Sequence, residues 1–328
     1  MEYRNFGSSG LETSVIGFGG WPMGKGHYGS FDEKEVIDAV HAALDIGITL
    51  FDTAPGYGSG AGEKLLGQAL HGRRDDIVLV SKGGLTYFNS ENRRGRDSSY
   101  ESLSKGLEDT LSRLDTDYLD VFLIHWPDES RSISEPMEAI SKFQEAGKIR
   151  FGGVSNFSSN QMKECVNTFP IVTNQVGYHL FDFRPEEEIF PFCQANDIGA
   201  MAYGSLAHGL LTGTMTPDTE FEENDWRKSL IAFGQPIFQG DNFLTNLQKV
   251  EDLRDIASER EMTVAQLALA WVISNPVISV ALVGTRTPAE IEENAEAIEW
   301  VMTPEEREQI RAIVSAEYDP ELDIEDDY

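Results

Sequence analysis

Short apolar runs of strand character alternate with segments of helical period along almost the whole chain, and that alternation leaves few architectures open. The strand-like runs are Val15–Gly19, Ile48–Phe51, Ile77–Ser81, Leu119–Ile124, Ile149–Val154, Ile171–Thr173, Ile198–Ala202 and Ile278–Val283. Between them, Val36, Val40, Ala43 and Leu44 share one helical face, as do Leu103, Leu107, Leu111 and Leu114. Val264–Ile273 is apolar nearly all round, which predicts a helix packed on both sides. Parallel neighbours need a crossover long enough to hold a helix, so the alternation predicts a parallel sheet. Eight strands favour the α/β class in its closed form, a single-domain (β/α)8 TIM barrel. The first strand is not followed by a Gly-x-Gly-x-x-Gly turn, which weighs against an open doubly wound sheet. Residues 1–316 are expected to form the barrel, with Met1–Leu11 as a β-hairpin capping its floor and 317–328 as an acidic tail. Two long connections, Gly83–Ser98 and Gly204 to about Asn242, are expected over the C-terminal face, since long loops in compact domains usually serve function.

Charge narrows the function classes. The 328 residues include 56 acids and 26 bases, a formal net charge of -30. A nucleic-acid surface needs a basic patch, so that class is excluded. No apolar run reaches the eighteen residues of a membrane span, so no membrane partner is expected. The opening Met1-Glu2-Tyr3-Arg4-Asn5-Phe6 carries no apolar stretch of signal type, and the expected setting is cytoplasmic. Cys165 and Cys193 supply neither a disulfide framework nor a metal spacing and are expected as buried free thiols; no metal is expected. Acids are spread along the chain as well as concentrated in Glu317–Asp327, which points to a halophilic protein of a high-salt cytoplasm.

In such a barrel, chemistry gathers where strands end. Asp52, Lys82, His125, Ser155, Asn156, Asn174, Gln175, Tyr203, Gly284, Thr285 and Arg286 each stand at or just after the end of a predicted strand. Taken singly, Asp52 reads as a cap, Lys82 as a surface lysine, His125 as a core histidine and Tyr57 as a turn aromatic. Taken together, a buried Asp–Lys pair beside a tyrosine is an arrangement that turns a phenol into a proton donor. A free tyrosine ionises near pH ~10. A neighbouring ammonium favours the phenolate, a carboxylate keeps the lysine charged and in place, and a histidine orients the substrate oxygen.

These residues in this order resemble the aldo-keto reductase superfamily. The resemblance rests on Phe51-Asp52-Thr53-Ala54-Pro55-Gly56-Tyr57-Gly58 followed by Gly62-Glu63-Lys64-Leu65-Leu66-Gly67, and on the stretch from Arg113 to His125. Gly147 to Phe157 and Ala202 to Gly213 carry it further, and it covers residues 3 to 313. It implies Tyr57, Asp52, Lys82 and His125 as a catalytic tetrad. It implies that Ser155, Asn156 and Gln175 hold a nicotinamide carboxamide, that Tyr203 stacks on its ring and that Leu206 lies near the pyrophosphate. Gly284, Thr285, Arg286, Glu290, Glu293 and Asn294 would hold the adenosine half. Two positions depart from the family pattern: Gly204-Ser205 replaces a Ser-Pro pair, and Glu290 replaces a frequent arginine.

The implied activity is reduction of a small carbonyl compound, an aldehyde or ketone, by NADP(H), with Tyr57 as proton donor. The alternatives are an NAD(H)-dependent sugar or alcohol dehydrogenase, or a cofactor-binding subunit like the potassium-channel β subunits on the same scaffold. Arg286 is the candidate for the phosphate that distinguishes NADP from NAD. Glu290, one helical turn on, would repel that phosphate, bind the ribose hydroxyls, pair with Arg286 or face solvent. Trp21, Phe88 and Trp126 are expected to line the substrate pocket and favour aromatic or medium-sized apolar carbonyls. The Arg93-Arg94-Gly95-Arg96 cluster points instead to an anionic substrate or to a solvated loop. The charge gives its own expectation: added potassium chloride, by screening self-repulsion, raises the thermal midpoint and the activity into the molar range. A midpoint that stays flat or falls across a salt series reduces the acid excess to ordinary surface polarity.

Overall fold

The structure, a computed structural model, describes residues 1–24, 28–86, 95–223 and 225–315. Eight strands among them close into a parallel barrel: β1 (Ile16–Gly19), β2 (Leu50–Asp52), β3 (Val78–Gly83), β4 (Leu119–Ile124), β5 (Ile149–Ser155), β6 (Thr173–Gly177), β7 (Gly199–Tyr203) and β8 (Ile278–Val283). The last strand returns to the first, with Ala281 opposite Ile16 and Val283 opposite Phe18.

Helices clothe the barrel: α1 (Glu33–Asp45), α2 (Ala61–Ala69), α3 (Tyr100–Leu114), α4 (Ser134–Glu145), α5 (Ser159–Thr168), α6 (Ile189–Ala195), α7 (Gly240–Ser258), α8 (Val264–Ile273), α9 (Pro288–Ala295) and α10 (Pro304–Val314). Several begin where a side chain satisfies the free backbone donors of the first turn. Asp32 accepts from the amides of Lys34 and Glu35 at the start of α1. Ser158 with Gln161, Thr263 with Gln266 and Thr303 with Glu306 form reciprocal capping boxes on α5, α8 and α10. The expected stripes are buried: Val36, Val40 and Ala43 on α1, with Leu44 half-buried, and Leu103, Leu107, Leu111 and Leu114 on α3. Every residue of α8 is buried, as its nearly unbroken apolar sequence requires, and the one polar side chain, Gln266, donates to Glu293 O and Glu296 Oε2.

Side chains from alternate positions fill the barrel, among them Leu50, Val80, Leu123, Met201 and Val280, and Phe6 plugs their lower end. Phe6 comes from the hairpin in which Tyr3–Asn5 pairs with Glu12–Ser14. Gly7 makes that closure possible. Its φ is +51°, and a Cβ there would stand 2.1 Å from the Val172 carbonyl oxygen.

Five strands extend beyond their apolar runs. Asp52 ends β2, Lys82 and Gly83 remain in β3, Ser155 ends β5, Asn174 to Gly177 belong to β6, and Tyr203 closes β7. Pairing with both neighbours holds these polar residues in the ladder: Gln175 lies opposite Ser155 on one side and Met201 on the other. An apolar criterion stops early because the barrel mouth is polar. The connection after β3 folds as a two-stranded ribbon, Leu85–Thr86 with Gly95–Arg96. The one after β7 runs through helical turns at Ala207–Thr212 and Trp226–Ser229 to reach α7. The acidic tail lies outside the described residues. Both cysteines are free and buried, and burial pushes each thiol up to about 12.

Candidate active site

Neighbouring strands deliver an acid and a base to the same point. Asp52 ends β2 and Lys82 lies near the end of β3, both buried. The Lys82 ammonium stands 2.7 and 2.8 Å from the two Asp52 oxygens, 2.9 Å from the Thr53 carbonyl and 3.1 Å from the Tyr57 hydroxyl. Burial pushes the Asp52 carboxyl up and the Lys82 amine down from their ordinary values, and their mutual attraction opposes both shifts. A second donor supports the carboxylate: Gln175 Nε2 lies 2.8 Å from Asp52 Oδ2. Tyr57 is placed by the turn between β2 and α2, its amide donating to Ala54 O at 3.0 Å and its carbonyl accepting from Gly62 at 3.0 Å. His125 follows β4, with its ring edge-on to Tyr57 at a centroid distance of 6.4 Å. The four residues of the expected tetrad therefore converge.

Behind them is an acid that the sequence reading left aside. Glu63, fully buried on α2, accepts from Ser81 Oγ and Thr110 Oγ1 at 2.9 Å and from Arg113 Nε at 2.5 Å. These contacts tie α2 to β3 and α3, fixing the frame around the Tyr57 turn. Its signal was an acid set against the apolar pair Leu65-Leu66, with an arginine in the later Arg113 to His125 stretch.

A single cavity of about 600 Å³ opens over the tetrad. Asp52, Tyr57 and His125 line it, with Lys82 underneath. Ser155, Asn156, Gln175 and Tyr203 line the same wall. Asn156 takes a left-handed φ of +62°, donates to the His125 carbonyl at 3.2 Å and accepts from the Tyr203 hydroxyl at 2.9 Å. Ser155 Oγ donates to the Gln175 carbonyl at 2.9 Å. Further along lie Leu206, Gly284, Arg286, Glu290, Glu293 and Asn294. Thr285 is buried beside them, and its hydroxyl has no hydrogen-bond partner among the described residues. Thr287 caps α9, and in its first turn Glu290 Oε2 accepts from the Arg286 amide at 2.7 Å, while the two side chains form no ion pair. The Arg286 guanidinium donates instead to the carbonyls of Tyr28 and Ser30. Among the described residues no group of three or more His, Cys, Asp or Glu is arranged to hold a metal, and no helix is long and apolar enough to cross a membrane.

Residues 15–315 match the model of the Aldo/keto reductase family. The chain belongs to the aldo/keto reductase family. It is 38% identical to the aldo-keto reductase YhdN of Bacillus subtilis over 317 residues, covering 96% of this chain and 94% of that one. Among solved structures it resembles the glycerol dehydrogenase AKR11B4 of Gluconobacter oxydans, with a TM-score of 0.84, 33% identity and coverage of 94% and 95%. It also resembles an aldo-keto reductase of Klebsiella pneumoniae solved in complex with NADPH, with a TM-score of 0.74, 30% identity and 96% of each chain covered.

In this aldo/keto reductase the connection after β7 supplies residues to the cavity that sequence reasoning did not single out. His208, Arg227 and Phe233 line it, as does Tyr28 from the connection after β1. Trp21 lines it too and stacks on Trp226 at 5.2 Å, while Phe233 stands edge-on to Tyr203 at 5.1 Å. Trp126 lines the cavity with the Arg96 guanidinium over its ring at 5.2 Å. Phe88, Arg93 and Arg94 lie outside the described residues. The length of the connection was a signal, but its aromatics acquire a role only when it folds back over Trp21.

Two buried histidines under this cover give a pH dependence. His179 and His208 face each other edge to face at 5.6 Å. Burial holds the His179 imidazole down to about 4, with Asp182 partly opposing, and holds His208 well below its ordinary value. The unfolded chain therefore takes up protons near pH 6.5 that the folded one refuses, so stability is complete above that pH and is lost as pH falls toward 4. Each histidine contributes up to roughly 1.4 kcal/mol per pH unit in this window. His208→Asn, which tolerates the left-handed backbone there, should flatten the fall in urea midpoint between pH 6.5 and 4.5. An unchanged slope removes His208 from the account.

Proposed function

We propose that the protein reduces an aldehyde or ketone to its alcohol, using NADPH as hydride donor and Tyr57 as proton donor. One observation carries this: an ammonium locked to a buried carboxylate stands 3.1 Å from a phenol oxygen at the cavity wall. Bound NADPH supplies the hydride. As the carbonyl oxygen gains electron density, Tyr57 gives it the hydroxyl proton, and the resulting phenolate is stabilised by Lys82. Asp52 and Gln175 keep Lys82 charged and positioned, and His125 orients the substrate oxygen. The opposite direction, alcohol oxidation, uses the same groups with the proton moving from the alcohol to Tyr57.

The residues along the cavity fit the cofactor. Ser155, Asn156 and Gln175 offer the polar atoms a carboxamide needs, and Tyr203 offers a ring for stacking beside them. Leu206 marks the pyrophosphate stretch. The unpartnered Thr285 hydroxyl, the α9 N-terminus and Arg286 suit the adenosine phosphate, with Gly284, Glu293 and Asn294 around it. The NADPH complex of the Klebsiella pneumoniae relative supports the same choice. Arg286 would share its guanidinium between the phosphate and the carbonyls of Tyr28 and Ser30, and Glu290 is occupied by the Arg286 amide rather than the guanidinium. The acid excess supports a high-salt cytoplasm as the setting, and residues 1–316 serve as one catalytic domain.

Tyr57→Phe should retain the fold and bind NADPH nearly as well, yet lose about 10²–10⁴-fold in carbonyl reduction, followed by nicotinamide absorbance. Near wild-type turnover would reject Tyr57 as the donor, and no turnover by the wild type across a carbonyl panel would favour a cofactor-binding subunit. Arg286→Ala should lower kcat/KM for NADPH by roughly 10-fold or more while affecting NADH less, because only NADPH carries the extra phosphate. A wild-type preference for NADH, or a preference unmoved by the substitution, moves the phosphate site elsewhere.

A further inference from the structure

In a chain with about two acids for every base, an arginine without an acid partner is unusual. Twelve of the fourteen arginines among the described residues form an ion pair with a carboxylate. The exceptions are Arg96 and Arg286, and both line the cavity. Arg286 stands at the α9 end and is accounted for above. Arg96 stands at the other end, over the ring of Trp126, the residue after His125. One of its N–H groups donates to the Pro127 carbonyl at 3.3 Å, and its other donors have no hydrogen-bond partner among the described residues.

The support beneath Arg96 is fixed. It lies in the ribbon after β3, opposite Leu85, which also lines the cavity. At the base of the ribbon the Asp97 amide donates to Gly84 O at 2.9 Å and the Ser98 amide to Asp128 Oδ2 at 3.0 Å. Arg131 pairs with Asp97 and Asp128, so the carboxylates nearest in sequence are already occupied. A guanidinium held on an aromatic face, with its remaining donors unused by the protein, is set to receive a planar or tetrahedral anion.

We propose that Arg96 recognises an anionic group, a carboxylate or a phosphate, on the carbonyl substrate, so that the enzyme prefers aldehydes or ketones carrying such a group. This rests on the reductase function proposed above. Trp126 and Trp21 provide apolar surface for the part of the substrate between its carbonyl and its anion. The net charge of -30 opposes the approach of any anion, but salt screens that long-range field while leaving a direct contact largely intact.

The test compares kcat/KM at fixed salt, with NADPH, for two matched pairs: 4-carboxybenzaldehyde against its methyl ester, and glyceraldehyde 3-phosphate against glyceraldehyde. Wild type should favour the charged member of at least one pair, and which pair responds tells carboxylate from phosphate. Arg96→Gln should lower the charged-to-neutral ratio about 10- to 100-fold, chiefly through KM, and Arg96→Lys should restore part of it. Thermal midpoints near wild type show that the variants are folded. A wild-type ratio at or below one in both pairs, or a ratio unmoved in Arg96→Gln, overturns the proposal. If no aldehyde is reduced with either NADPH or NADH, the reductase function itself fails. Calorimetric titration with 4-(hydroxymethyl)benzoate and glycerol 3-phosphate then decides: binding weakened at least about 10-fold by Arg96→Gln supports anion recognition, and absent or unchanged binding rejects it.

Discussion

Two charges withdrawn from water must answer each other, and in this barrel the Asp52–Lys82 pair does so where β2 and β3 reach the mouth. Removing either partner leaves the other buried and uncompensated, at a cost of several kcal/mol. The barrel meets that constraint by holding the two strands in register and adding Gln175 from β6 as a further donor. Closure of the sheet is what brings Gln175 to Asp52 across 123 residues of sequence. The Tyr57 turn then places its hydroxyl against an ammonium whose other contacts are satisfied, so the lysine is held without an added flexible group.

Around that rigid centre the connections differ in character. The ribbon after β3 is hydrogen-bonded across and anchored at its base, and it carries Arg96. The long connection after β7 is held by aromatic packing, with Trp226 on Trp21 and Phe233 against Tyr203, and by Arg227, which pairs with Asp225 and donates to the His208 carbonyl. Part of the Tyr203 ring is thus in contact with Phe233. A ligand stacking on Tyr203 would share that surface, which links the position of the cover to occupation of the cavity.

Charge makes the same division. Most arginines among the described residues are tied to carboxylates, some close in sequence, as Arg254 is to Glu251 and Arg73 to Asp76, and others on distant elements, as Arg307 and Arg311 are to Glu186. Exposed pairs of this kind contribute little stability each, but they absorb cations that would otherwise stand alone in an acidic surface. Among the described residues two arginines escape this pairing, and both border the cavity. Under a large acid excess, keeping a guanidinium away from carboxylates requires a fold that surrounds it with carbonyls or aromatic rings, as Tyr28, Ser30 and Trp126 do.

The sequence by itself determined the periodicities and the local chemistry. Strand runs such as Leu119–Ile124 and Ile278–Val283 and the nearly all-apolar α8 were legible because each depends on neighbours within a few residues. The residues of the proposed tetrad were legible through the family motifs, which set Asp52, Lys82 and His125 at or just after strand ends and Tyr57 in the turn after β2. The polar ends of β2, β3, β5, β6 and β7 were not, because polar residues at a barrel mouth are kept in the ladder by partners distant in sequence. Tertiary structure alone decided that Glu290 turns to the Arg286 amide, that Gln175 supports Asp52, that Glu63 binds Ser81 and Arg113, and that Arg96 has no acid partner among the described residues. Each is a choice among several available partners. Only the closed barrel, which sets the distances between residues far apart in the chain, makes that choice.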